Sequence, residues 1–212
     1  MPIQNPITIR RDDWSFLKQQ YPEVWDFITN EKLSRTEIIS QFSNIMKMEE
    51  ILCLFIVSMI WGNGTNGYGS WWVRKMLESI DVIDFDFSLV QQFFSKGNIL
   101  RAYEYFIEHH ISFCGSAYFT KFLYFLLKFS STKAPRVAYI LDSKIAKSVI
   151  HYSNGLDVLT QLPIDDAGSV FSDAQRYLNY LDFIDAIVDY FSQNGYSQIR
   201  GDDIELMLFL QR

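Results

Sequence analysis

Ala117-Tyr118-Phe119-Thr120-Lys121-Phe122-Leu123-Tyr124-Phe125-Leu126-Leu127-Lys128 decides the fold. Apart from Thr120, Lys121 and Lys128 it is apolar or aromatic nearly all round, the pattern of a helix buried on every side. A lysine early in such a helix is costly unless its ammonium reaches water or is put to use. Two readings of Lys121 stay open at this point: a stem that snorkels out beside Lys128 on the same face, or a functional amine. Upstream, a helix ends at His109-His110 and gives way to a short turn containing Gly115. Downstream, past the polar turn of residues 130–135, comes Val137-Ala138-Tyr139-Ile140-Leu141-Asp142-Ser143-Lys144-Ile145-Ala146-Lys147-Ser148-Val149-Ile150. Asp142 stands directly before the helical spacing of Ile145, Ala146 and Val149, where an N-cap belongs. A helix N-terminus also suits a negative charge, so capping and catalysis are compatible roles for it.

Outward from this segment the chain reads the same way. No proline interrupts residues 23–134, and period-two alternation is nearly absent. Ser34-Arg35-Thr36-Glu37 forms a capping box ahead of Ile38, Ile39, Phe42, Ile45 and Met46. Ser172-Asp173-Ala174-Gln175 reads likewise, ahead of Tyr177, Tyr180, Leu181, Ile184, Ile187, Val188 and Phe191 at three-and-four spacing. The spacing predicts helices at 12–29, 35–47, 49–61, 70–80, 88–95, 99–110, 116–130, 143–152, 172–193 and 202–210. The fold class is all-α, a single helical unit over residues 1–212, with the turn and the Lys/Asp segment inside 99–152.

Charge is unevenly spread. The net charge is −6, yet residues 115–150 carry Lys121, Lys128, Lys133, Arg136, Lys144 and Lys147 against Asp142 alone. The net charge argues against an indiscriminate polyanion binder, while this one window holds nearly all the local positive charge. Cys53 and Cys114 are too few for a disulfide framework or a four-cysteine metal site, and His109, His110 and His151 lack metal-ligand spacing, so no metal or cofactor is expected. The apolar run Ile51–Trp61 is about half of a bilayer span, and residues 1–5 show no leader pattern, so the expected location is the cytoplasm, without a membrane partner. Gly62-Asn63-Gly64-Thr65-Asn66-Gly67-Tyr68-Gly69 has no following Gly-Lys-Ser/Thr and is not a phosphate-binding P-loop. Ser58, Ser112 and Ser116 lack a nucleophile-elbow context. Asp182, Asp185 and Asp189 read as a solvated face, and Trp71-Trp72 as core with one ring partly exposed.

A helix, a glycine turn, a helix bearing Thr120-Lys121, and Leu141-Asp142 opening the next helix resemble the helix–hairpin–helix DNA glycosylases, the 8-oxoguanine branch in particular. The stretches Phe119–Phe125 and Ile140–Ala146 look like the bacterial OGG-like proteins, and so do Tyr177-x-x-Tyr180 and Asp203-Ile204-Glu205-x-x-Leu208-Phe209. The similarity covers residues 50–212. One departure is that the usual hairpin has two glycines, whereas only Gly115 is present here, followed by Ser116 and Ala117. The resemblance implies two helical lobes flanking a cleft and a monomer acting on double-stranded DNA with a damaged or modified base. The base is flipped into a pocket, Lys121 attacks the sugar C1′ to give a Schiff base with abasic-site lyase activity, and Asp142 stabilises the positive charge on the sugar. Aromatic neighbours desolvate the amine, and the pair must approach the sugar without locking into a tight ion pair. Gly115 and Ser116 in the hairpin, with Lys144 and Lys147, are the implied phosphate contacts. Asn63, Asn66 and Tyr68 would fill or stack on the gap left by the flipped base; a plain helix-ending turn is the other reading of that loop. The alternatives are a glycosylase for a different modified base, such as a phage DNA modification, and a catalytically silent DNA-binding or interaction module.

Overall fold

The computed structural model describes residues 4–42, 48–129, 136–153 and 160–211. Among these the α-helices are α1 (Leu17–Gln20), α2 (Pro22–Phe27), α3 (Arg35–Gln41), α4 (Met48–Asn63), α5 (Gly69–Ile83), α6 (Phe87–Ser95), α7 (Ile99–His109), α8 (Ser116–Phe129), α9 (Ser143–Ser153), α10 (Ala174–Gln193) and α11 (Gly201–Leu210). The protein is all-α, apart from one small two-stranded ribbon.

Helix α8 lies at the centre because its sequence leaves it no solvent face: Phe119 and every residue from Phe122 to Leu127 are buried. Its main neighbour, α4, is equally apolar from Leu54 to Ile60. Phe55 meets Phe122 and Trp61 meets Phe125, both edge to face at 5.4 Å between ring centres. On the other side Phe106 of α7 stacks on Phe119 at 4.9 Å. The buried residues form one continuous cluster reaching from Ile9 to Leu208. Removing an aromatic ring from such a core costs about 3–5 kcal/mol, so α4, α7 and α8 are held as a rigid frame.

Local signals explain most element boundaries. The capping box at Ser34 is present in both directions. The helix expected over 12–29 is instead broken into a 3₁₀ turn at Arg11–Trp14, α1, α2 and a second 3₁₀ turn at Ile28–Asn30. Pro22 is the cause: it has no N–H to continue a helix and forces Tyr21 out of helical geometry, to φ −141°. Residues 43–47, and with them Ile45 and Met46, lie outside the described residues, as does the end expected for α8 at residue 130. The cap of α10 is Asp173, accepting from the Arg176 N–H, rather than Ser172. The ribbon pairs β1 (Ile7–Thr8) with β2 (Lys32–Leu33), antiparallel, Ile7 opposite Leu33. Two-residue strands are too short to show alternation, which is why the sequence pattern missed them.

Candidate active site

The α7–α8 turn carries two residues in left-handed geometry, His110 and Phe113. It delivers α8 so that Lys121 faces the C-terminal end of α4. Lys121 is 5% exposed, which removes the snorkelling reading. Its Nζ donates to the Ala117 carbonyl at 2.5 Å and stands 3.3 Å from Asp142 Oδ2 and 5.6 Å from the centre of the Tyr118 ring. Room for its stem comes from Gly62, where a Cβ would lie 2.8 Å from Lys121 Cδ. Asp142 divides its oxygens. Oδ1 accepts the N–H groups of Lys144 and Ile145 at 3.0 and 3.1 Å, as an N-cap does, while Oδ2 faces the lysine. The cap thus uses one oxygen of Asp142 and leaves the other against the lysine. The ion pair is closer than the expected loose approach.

Above the pair opens a cleft of about 650 Å³. Sequence reading supplied Asn63, Lys121, Asp142 and Lys144 among its walls; it missed Thr8, Trp61, Gly62, Tyr118 and Phe209. Thr8 reaches the cleft through the unforeseen ribbon. Trp61 is marked in sequence only as an apolar helix position, and Phe209 only as part of the family-like C-terminal pattern. Cys114 lies near enough to Lys121 to feel its charge, yet burial pushes its thiol pKa well up, leaving the thiol protonated. Burial likewise raises the Tyr118 phenol, whose O–H donates to Asn63 Oδ1 at 3.2 Å.

The remaining expected contacts are placed unevenly. Asn63 is buried, its amide donating to the Met59 carbonyl at 2.8 Å, so both ends of its side chain are engaged within the protein and none is left to project into a duplex. Asn66 is exposed and turns its Oδ1 back to the Tyr68 N–H. Tyr68 is 72% exposed. Ser116 is buried, which rules out a side-chain contact with phosphate, whereas Gly115 is exposed with open space around it. Next to this hairpin stands a pair the sequence did not single out as DNA-facing: Trp71 and Phe113, 47% and 52% exposed, edge to face at 5.2 Å.

The basic window does not survive as a patch. Lys128 pairs with Asp202 at 2.6 Å, and Arg136 pairs with Asp182 and Asp185 at 2.8 and 2.9 Å. The acidic C-terminal third folds over the basic segment, so Asp182 and Asp185, on the solvated face expected of them, are also ion-pair partners. Lys133 lies outside the described residues. Lys144 lines the cleft with its Nζ 4.6 Å from the Phe209 ring centre, and Lys147 is exposed with its stem against Gly168. Among the described residues no cluster of His, Cys, Asp and Glu is arranged to hold a metal, and no helix is long and apolar enough to cross a membrane.

A helical frame that sets a lysine against a helix-capping aspartate, in a cleft near the α7–α8 turn, is the arrangement that the resemblance to helical DNA glycosylases implies. Residues 1–209 match the family model described as "Putative 8-oxoguanine DNA glycosylase OGG-like protein", and the chain belongs to that family. The match includes the first 50 residues, which contribute little to the resemblance read from sequence, in keeping with β1 forming part of the cleft wall. No curated protein and no solved structure matches the chain.

Proposed function

We propose that this protein excises an oxidised guanine of the 8-oxoguanine type from duplex DNA through a Schiff base on Lys121, and then cleaves the strand at the abasic site. The observation that carries the reading is the Lys121 amine 3.3 Å from the free oxygen of Asp142, at the wall of a cleft large enough for a nucleoside. Tyr118 and Phe209, half-buried on the cleft wall, are the aromatic side chains against which a planar base would pack. As the sugar parts the ion pair the ammonium passes one proton to water, and the neutral Lys121 nitrogen then forms a bond to C1′ as the glycosidic bond breaks; the bonding pair leaves with the base, which takes up the second proton that the bound amine gives up. Asp142 Oδ2 stabilises the positive charge that builds on the sugar. Opening of the sugar ring gives the iminium, loss of a C2′ proton expels the 3′ phosphate, and water releases the lysine.

In this reading Lys144 and Lys147 hold phosphates, the exposed backbone at Gly115 approaches the strand, and Asn66, Tyr68, Trp71 and Phe113 support the opened base pair. The protein works as a monomer in the cytoplasm. Release of free base from duplexes that each carry one lesion tests it, with oxidised guanine the expected product. Release of another modified base alone would keep the chemistry and change the substrate. Binding without any release would replace the enzyme by a silent DNA-binding module.

A further inference from the structure

Glu205 of α11 is fully buried and bridges two parts of the chain. Its Oε1 meets Arg35 of α3 at 2.6 Å, and its Oε2 accepts the Ile140 N–H at 3.1 Å. Arg35 itself lies over the rings of Trp61 and Tyr124, 5.1 and 5.0 Å from their centres. Among the described residues no strand pairs with residues 137–141, which lead into Asp142. Their backbone is held by side chains instead. The Tyr139 carbonyl accepts from the Tyr177 hydroxyl and the Ile140 carbonyl from the Tyr180 hydroxyl, both at 2.7 Å. The Leu141 N–H donates to Thr120 Oγ1 at 3.3 Å, and that hydroxyl donates to the Ser116 carbonyl at 2.8 Å. All four clamping side chains, Thr120, Tyr177, Tyr180 and Glu205, are buried.

A buried ion pair is a poor source of stability, since apolar residues of similar volume hold a fold as well or better. Its use lies elsewhere, and the clamp ends at Leu141, directly before Asp142, whose Oδ1 is already fixed by the cap of α9. We propose that Glu205, held by Arg35, is a positioning residue that sets where Asp142 Oδ2 stands against Lys121, acting through the Ile140 amide. The inference rests on the reading of Lys121 and Asp142 as the reacting pair. Its consequence is large because misplacing a reacting group by about 1 Å can cost a hundredfold in rate.

Glu205→Gln tests it without changing shape. An amide has one acceptor oxygen, so it can satisfy Arg35 or the Ile140 N–H but presents N–H to the other. Tyr180→Phe removes only one hydroxyl of the clamp and serves as the milder variant should the first fold poorly. Single-turnover base release should slow by about 10–100-fold in each, with affinity for the lesion duplex nearly unchanged. Borohydride trapping on a duplex with a preformed abasic site, which needs Lys121 but no base expulsion, should persist. In an Asp142→Asn background Glu205→Gln should add less than about threefold, because the two act as one unit. An equal slowing in both backgrounds, or no slowing in either variant, overturns the proposal. Amide hydrogen exchange on the DNA-free protein separates this from failure of the glycosylase reading. If the wild type releases no base, both variants should still speed exchange at Ile140, Lys144 and Ile145 while α4 stays protected; unchanged exchange at Lys144 and Ile145 refutes the positioning.

Discussion

At the scale of single residues, the site depends on what Gly62 and Asp142 allow. A methyl group at position 62 would overlap the Lys121 stem, a flexible chain that moves more easily than the helix backbone. Gly62→Ala should therefore leave the protein as stable as before, or stabilise it by up to about 1 kcal/mol through helix propensity, while displacing the amine. Thermal unfolding and the rate of borohydride trapping, measured side by side, check this; a fold that weakens while trapping stays fast contradicts it. Asp142→Asn keeps a good cap and removes the charge, so stability should hardly change while base excision falls about 10²–10³-fold. An unfolding midpoint that drops with excision intact would leave Asp142 as a cap only. Lys121 and Asp142 were legible in the sequence because a lysine in an otherwise apolar helix, and an acid alone among cations, are conspicuous. Gly62 was not, because its contact with Lys121 crosses from one helix to another and no spacing rule reports it.

Among elements, the start of α9 and the α7–α8 turn carry the expected DNA contacts. With Lys128 and Arg136 neutralised by Asp202, Asp182 and Asp185, Lys144 in the cleft and Lys147 beside it remain to meet phosphates. Lys144→Ala should weaken binding to all duplexes alike and flatten the salt dependence by about one unit. An unchanged salt slope would place the phosphate contact elsewhere. Phe113 holds an exposed ring at φ +63°, a conformation that is strained for a side chain of its size. Phe113→Ala together with Trp71→Ala should lower affinity for a lesion duplex more than for an abasic single strand, since a wedge acts on the opening of the pair. Equal losses would remove the wedge. The elements themselves were readable where caps and apolar periodicity agree, as at Ser34 and along α8. They were misread at Pro22, where the local proline signal outweighs the apolar spacing and splits the first helical run, and in the basic window, where ion pairs across the fold erase a charge patch that looked real along the chain.

Across the whole molecule, Glu205 couples α3, α11 and the segment leading to Asp142. Burial raises its carboxyl pKa above the usual 4.5 despite the neighbouring Arg35. The folded protein therefore binds a proton here more readily than the unfolded chain, and this group's contribution to stability is greatest below the unfolded value and is lost as pH rises through the folded one. Urea unfolding across that range should show the wild type gaining on Glu205→Gln as pH falls; a constant difference would mean that Glu205 titrates normally. None of this coupling was visible beforehand, since Arg35 and Glu205 lie far apart in sequence, and the resemblance that marked Glu205 assigned it no partner. The all-α class and the Lys/Asp pair were visible because each is written within one segment; the cleft was not, being assembled from the ribbon, α4, α8, α9 and α11. The central claim is that Lys121 is the nucleophile of a DNA glycosylase, and borohydride trapping on duplexes bearing single lesions tests it most directly. The account predicts a covalent adduct with the wild type on oxidised-guanine DNA and none with a folded Lys121→Gln protein. An undiminished adduct in Lys121→Gln, or no adduct from the wild type on any lesion duplex, would contradict it.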